Sequence, residues 1–225
     1  MTDSSVQDRL ADVRRGIVEA ALLANRRGDA ITLVAVSKTK PAEAIVPLIE
    51  AGQYDFGENR VQEAAAKWPE LKARYPDVRL HLVGQLQSNK AEEAVQLFDV
   101  VHSLDRSSLI DALAAAAAKT GRRPECFLQV NLAGEPQKGG CAVGEVPGLI
   151  EQARAADLPV IGLMCIPPAD LEPAPWFALL AEHGRRHGLD ALSMGMTADY
   201  RTAVTIGSTH VRVGTALFGG RASAA

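Results

Sequence analysis

Residues 31–40 read ITLVAVSKTK, an apolar run of the kind that forms a buried strand, closed by Lys38 and Lys40. Period-two alternation puts Val34, Val36 and Lys38 on one face, with Lys40 just beyond and next to Pro41. A lysine at a strand tip is either a snorkelling surface charge or a placed amine. Before this stretch, residues 1–28 read as a helix. Val6, Leu10, Val13, Ile17, Ala20, Ala21 and Ala24 form one apolar stripe, Ser5 and Asp8 form a capping pair, and Gly28 is expected to end the helix.

Beyond Lys40 the same alternation repeats. Strands are predicted at 54–58, 79–84, 98–104, 125–131, 158–164, 189–194 and 209–214, and helix-like segments lie between them, among them 59–74, 89–97, 107–119, 144–155 and 176–187. Pro47 predicts a kink in the helix after the first strand, or a start later than Pro41. Eight strands each followed by a helix-like segment predict a single α/β domain over 1–225, a (β/α)8 TIM barrel over 31–221 with an extra N-terminal helix. A doubly wound open sheet is the structural alternative, weakened because no Gly-rich dinucleotide fingerprint follows the first strand.

Composition narrows the functional classes. The chain has 225 residues, 47% of them hydrophobic, and a formal net charge of -3, so neither nucleic acid nor an anionic membrane is expected as partner. Cys126, Cys141 and Cys165 have no metal-like spacing and read as reduced thiols. No signal-peptide pattern opens the chain, and the longest apolar stretch, LPVIGLMCIPPA, is too short to span a bilayer. A soluble cytoplasmic protein is expected.

In a barrel the chemistry gathers where the strands end. Those positions hold Lys38, Glu58–Asn59, Gln85, Ser103, Asn131, Met164, Ser193, and Arg212 with Gly214 and Thr215. Neither a metal-ligand set nor a carboxylate pair for glycoside chemistry is among them. Burial of Lys38 would disfavour its ammonium and free the amine for a Schiff base with a carbonyl compound. SMGMTAD (193–199) and VRVGTALFGG (211–220) are glycine-containing turns after the last two strands, a position that holds phosphate in many barrels. Together they describe a pocket for a phosphorylated carbonyl compound, either a sugar phosphate in an aldolase or pyridoxal phosphate. His81 and His102 read as satisfied core histidines, and Lys138 in the loop QKGGC reads as facing solvent.

The blocks AVSKTKP (35–41), FGENRVQE (56–63), HLVGQLQSNK (81–90), KGG (138–140), GLMCIPP (162–168), SMGMTAD (193–199) and GSTHVRVGTALFGGR (207–221) resemble the signature of the pyridoxal phosphate homeostasis proteins. These are relatives of the alanine racemase N-terminal barrel, fold type III of the pyridoxal phosphate proteins. The resemblance implies that Lys38 carries the cofactor, pyridoxal 5'-phosphate, as a Schiff base. It further implies that Ser193, Gly214 and Thr215 hold the phosphate, that Arg212 faces the pyridine nitrogen, and that Asn59 lines the pocket near the ring. Met194 and Gly195 would shape the phosphate turn. Departures from the signature are Arg60, Gln85 and Thr197, none of which removes a group so assigned.

An arginine opposite the pyridine nitrogen leaves the ring a poorer electron sink than an aspartate would. A two-base racemase needs an acid–base group on each face of the substrate. In alanine racemases the second is a tyrosine from a separate C-terminal domain, which this chain is expected to lack. None of Tyr54, Tyr75 and Tyr200 has an evident reason to stand opposite Lys38. The expectation is a non-catalytic, monomeric carrier that buffers pyridoxal phosphate inside the cell and delivers it to apo-enzymes. A low-activity amino-acid racemase and a Schiff-base phosphosugar aldolase are the rival readings.

Overall fold

The apolar runs become short strands, and each strand is followed by a helix that covers it, in a computed structural model that describes residues 5–219. The order is α1 (Val6–Leu23), β1 (Thr32–Val36), α2 (Ala42–Glu50), β2 (Asp55–Glu58), α3 (Val61–Arg74), β3 (Arg79–Leu82), α4 (Ala91–Leu97), β4 (Val100–Leu104) and α5 (Ser107–Thr120). It continues with β5 (Glu125–Gln129), α6 (Val146–Ala155), β6 (Val160–Met164), α7 (Ala174–His187), β7 (Ala191–Met196), α8 (Tyr200–Ile206), β8 (His210–Val213) and α9 (Thr215–Phe218). The strands pair in sequence order, and β8 returns in parallel to β1 with Thr32 opposite His210. That closure makes the (β/α)8 barrel and excludes the open sheet.

Alternation along each strand sends one set of side chains outward and the other into the barrel. Outward-facing Leu33, Ala35, Leu80, Leu82, Val101, Leu128 and Leu163 join the helix stripes in one continuous core. The interior is different. Val100, Phe127 and Met164 form a separate apolar group, and the rings of His102 and His210 pack on Phe127 with centroids 4.5 and 4.9 Å away. Barrels of this type are usually filled with branched aliphatic residues; here imidazoles occupy much of that space.

The N-terminal helix buries Leu10, Val13, Ile17, Ala20 and Ala21 and starts with a full capping box between Ser5 and Asp8. It ends at Leu23, with Asn25 in the left-handed region at φ 53°, so Gly28 is not its terminator. Gly28 instead lets the chain pass close to the helix, since a Cβ there would meet Val18 Cγ2 at 2.7 Å. In the next helix, α2 begins directly after Pro41 and runs through Pro47, forgoing the hydrogen bond that residue cannot donate. Among the described residues no helix is long and apolar enough to cross a membrane, and no group of His, Cys, Asp and Glu could hold a metal ion. The last residues of the seventh signature block, Gly220 and Arg221, lie outside the described residues.

Candidate functional site

The C-terminal strand ends surround a cavity of about 420 Å³, within the range of small-molecule sites. Lys38, Asn59, Thr197, Arg212, Gly214 and Thr215 border it. Four of the eight strands, β1, β2, β7 and β8, therefore supply its polar wall.

Lys38 stands on a turn held from several sides. The Lys40 N–H donates to the Ser37 carbonyl at 3.0 Å, closing the turn. Lys67 on α3 donates to the carbonyls at both ends of it, Ser37 at 3.1 Å and Lys40 at 3.0 Å. The same ammonium pairs with Glu58 at 2.9 Å, a fully buried carboxylate that also accepts from the Ser37 hydroxyl at 2.5 Å and from the Trp68 indole N–H at 3.0 Å. Thr39, between the lysines, sits at φ 64°, an uncommon conformation for a β-branched residue. Lys38 itself is exposed, and no hydrogen bond or ion pair involves its amine among the described residues. The expectation of a buried lysine is thus corrected: it stands past the strand tip, on a turn at the cavity rim.

Arg212 comes from β8 into the barrel and is 5% exposed while still bordering the cavity. Its Nη1 donates to Ser193 Oγ at 2.6 Å and its Nη2 to the Cys165 carbonyl at 3.0 Å. Burial pulls its guanidinium below the ordinary value. Burial likewise pushes the thiols of Cys126, Cys141 and Cys165 up to about 12, leaving them protonated and unreactive.

Ser193 is not brought to the cavity. It is fully buried inside the barrel, bonded to Arg212 and to His102 Nδ1, 2.7 Å away. Met194 alternates outward into the helix-facing core. Gly195, at φ 93°, lets β7 lie against α8, since a Cβ there would stand 2.5 Å from Ala203 Cβ and 3.0 Å from Tyr200 Cα. After β7 the hydroxyl brought to the cavity wall is that of Thr197, which accepts from the Gly214 N–H at 3.3 Å. Sequence reading treated Thr197 only as a departure from a signature. Its position on the turn after β7, opposite Gly214, was the available signal. Asn59, Arg212, Gly214 and Thr215 do border the cavity as expected from the strand ends. Lys138 does not face solvent freely: its amine donates to the Pro167 carbonyl at 2.9 Å and pairs with Glu135 at 2.7 Å.

Behind Arg212 the interior is polar and paired. His102 Nε2 lies 2.9 Å from His81 Nδ1, and His81 Nε2 lies 2.9 Å from Asp55 Oδ1. Burial, then the neighbouring His81, Arg212 and His210, push His102 well below its usual range, so its ring is neutral. His210 falls to about 3, chiefly through burial.

A lysine after the first strand and a buried arginine on the last, in a closed parallel barrel, place the protein in a class: the family model for the alanine racemase N-terminal domain matches residues 20–222. Within that class, the chain belongs to the family of pyridoxal phosphate homeostasis proteins. It is 41% identical over 225 residues to the protein of that name from Pseudomonas aeruginosa, covering 97% of this chain and 96% of the relative. It is also similar to PipY of Synechococcus elongatus PCC7942, solved with pyridoxal phosphate bound, at 38% identity and a TM-score of 0.83, covering 96% of this chain and 100% of that one. Alanine racemase from Streptomyces coelicolor is 21% identical with a TM-score of 0.65, a likeness of fold alone, and the match covers 58% of that chain.

Proposed function

We propose that the protein holds pyridoxal 5'-phosphate reversibly on Lys38 and serves its homeostasis without catalysing a reaction. The observation that carries this reading is an exposed lysine amine that has no partner among the described residues, over a cavity whose far wall is a buried arginine. When bound, the cofactor supplies an aldehyde that an amine holds covalently and releases by hydrolysis. The residues fit such a group. Arg212 spends two N–H groups on Ser193 and Cys165 and keeps others for an acceptor such as a pyridine nitrogen. Thr197, Gly214 and Thr215 form the wall suited to the phosphate, and Gly214 permits close backbone approach, since a Cβ there would be 3.3 Å from the Val36 carbonyl oxygen. Asn59 would flank the ring. Ser193 and Met194 would serve from behind, through Arg212 and the strand.

The absence of catalysis is supported by what borders the cavity. Among the described lining residues there is no histidine, carboxylate, thiol or tyrosine, and the one amine besides that of Lys38 belongs to Lys40, two residues along the same turn and so with no evident reason to stand on the opposite face of a substrate. Tyr54 lies at the opposite face of the barrel beside Asp55, Tyr75 caps α3, and Tyr200 begins α8. We read the protein further as a cytoplasmic, single-domain monomer that hands its cofactor to apo-enzymes.

The test is a visible absorption spectrum of the purified protein, then borohydride reduction and peptide mapping. A yellow protein with a pyridoxyl group fixed on Lys38, and none on Lys38→Ala, is expected. A protein that stays colourless with excess pyridoxal phosphate would overturn the proposal, and trapping of a sugar phosphate instead would favour an aldolase.

A further inference from the structure

Arg212 is a buried cation whose hydrogen-bond partners, the Ser193 hydroxyl and the Cys165 carbonyl, are both uncharged. A charge in that position needs compensation. Asp199, on the loop after β7, acts on it only through space, its carboxylate being committed to the Met196 N–H at 2.6 Å. A continuous path does lead from Arg212 to a carboxylate. It runs through Ser193, His102 and His81 to Asp55, with steps of 2.6, 2.7, 2.9 and 2.9 Å, and crosses the barrel from β8 to the first residue of β2.

The donor and acceptor inventory fixes its direction. A guanidinium only donates, so Ser193 Oγ accepts from Arg212 and passes its own proton toward His102 Nδ1. His102, being neutral, then carries its proton on Nε2 and gives it to His81 Nδ1. His81 gives its Nε2–H to Asp55, a carboxylate that only accepts. Every group is satisfied, every arrow points from the cation to the anion, and both imidazoles are the Nε2–H tautomer. The reversed chain, with a proton added at His81, would leave the Ser193 hydroxyl proton without an acceptor.

We infer that Asp55, His81, His102 and Ser193 are positioning residues for Arg212: Asp55 is the remote counter-charge, and the chain between them sets the orientation of the guanidinium presented to the cavity. The consequence for the cofactor rests on the reading of Arg212 as the group that faces the pyridine nitrogen. Asp55 lies outside the cavity, with its side chain 26% exposed at the opposite face of the barrel. A substitution there reaches the site only through the chain.

The decisive variant is Asp55→Asn, which keeps an oxygen for the His81 N–H and removes the charge. Side-chain ¹⁵N NMR of the unloaded protein reads the chain directly. Two neutral Nε2–H imidazoles are expected at His81 and His102, and the Arg212 guanidinium resonances should move in Asp55→Asn. An Nδ1–H tautomer at either histidine, or Arg212 signals that do not move, would overturn the inference. In the loaded protein Asp55→Asn should shift the absorption maximum and weaken pyridoxal phosphate binding about tenfold, as expected for one impaired charge-assisted hydrogen bond. If the Arg212 signals move while the bound chromophore and its affinity do not, the chain stands and the pyridine-facing role of Arg212 fails. If wild type takes up no pyridoxal phosphate, the functional reading fails and the NMR outcomes still judge the chain. Should Asp55→Asn not fold, Ser193→Ala cuts the same chain at its other end and is read by the same Arg212 signals.

Discussion

Glu63 Oε1 accepts the backbone N–H of Thr39 at 2.5 Å, so a carboxylate on α3 holds a threonine in the left-handed region immediately after Lys38. A β-branched residue at that φ costs about 1–3 kcal/mol and persists only where its surroundings over-determine it. Glu63 is one such surrounding group. Glu63→Ala should destabilise the protein by about 1.5–3 kcal/mol, the worth of a hydrogen bond to a charged acceptor, and should speed amide exchange at Thr39 and Lys40. Thr39→Gly in that background should recover part of the loss, because glycine adopts the conformation without strain. Denaturant unfolding and hydrogen exchange check both; an unchanged Thr39 amide in Glu63→Ala would refute the assignment.

Lys67 ties the same turn to the barrel through Glu58. Removing the amine leaves a fully buried carboxylate with only the Ser37 hydroxyl and the Trp68 N–H on it. Lys67→Met should therefore cost about 3–5 kcal/mol. The double variant Lys67→Met with Glu58→Gln should cost less than the sum of the singles, which a double-mutant cycle by urea unfolding would measure.

Thr197 separates the observed cavity wall from the one expected on resemblance. Thr197→Val keeps the shape and loses the hydroxyl, and should weaken pyridoxal phosphate binding about tenfold, by equilibrium fluorescence titration. The Lys38 adduct should still form at saturating cofactor. Full affinity in Thr197→Val would return the phosphate role to other groups.

The interior histidines give the fold an acid limit. His102 and His210 are held neutral in the native state, His210 with its pKa near 3, whereas in the unfolded chain each titrates near 6.5. Below about pH 6.5 the unfolded state binds the extra protons, so stability falls as pH falls, toward about pH 3 for His210. Each such group contributes a slope of up to about 1.4 kcal/mol per pH unit inside its window. Urea midpoints should therefore drop between pH 7 and pH 5, and His210→Phe should flatten that drop. A midpoint independent of pH over this range would contradict the neutral interior.

The barrel was legible from ITLVAVS onward because short apolar runs and helical stripes alternate with little interruption. Lys38, Asn59, Arg212, Gly214 and Thr215 were legible because strand ends in a barrel converge on one face. What could not be read was the side of the strand tip on which a residue falls. Ser193 and Thr197 lie four residues apart on β7 and the turn beyond it, yet one is sealed inside the barrel and the other lines the cavity. The strand register between Ser193 and Met196 is irregular, and Gly195 turns the backbone to positive φ there. Simple alternation does not carry across such a place. The pairing of Asp55 with His81 and of His81 with His102 was equally hidden, since it depends on which strands become neighbours.

Closure of the barrel through β1 and β8 also constrains how the chain can be made. Thr32 finds its partner only at His210, and α1 covers itself largely with α8 and α9, where Arg9 Nε donates to the Leu217 carbonyl at 2.7 Å. Within the barrel, α1 and β1 are thus made before the other elements and are among the last to be covered. Through most of synthesis β1 keeps an open edge and α1 an uncovered apolar stripe, the kind of surface on which incomplete chains associate. That surface stays open until β8 and the helices beside it are made, and a nick or truncation before β8 exposes it again.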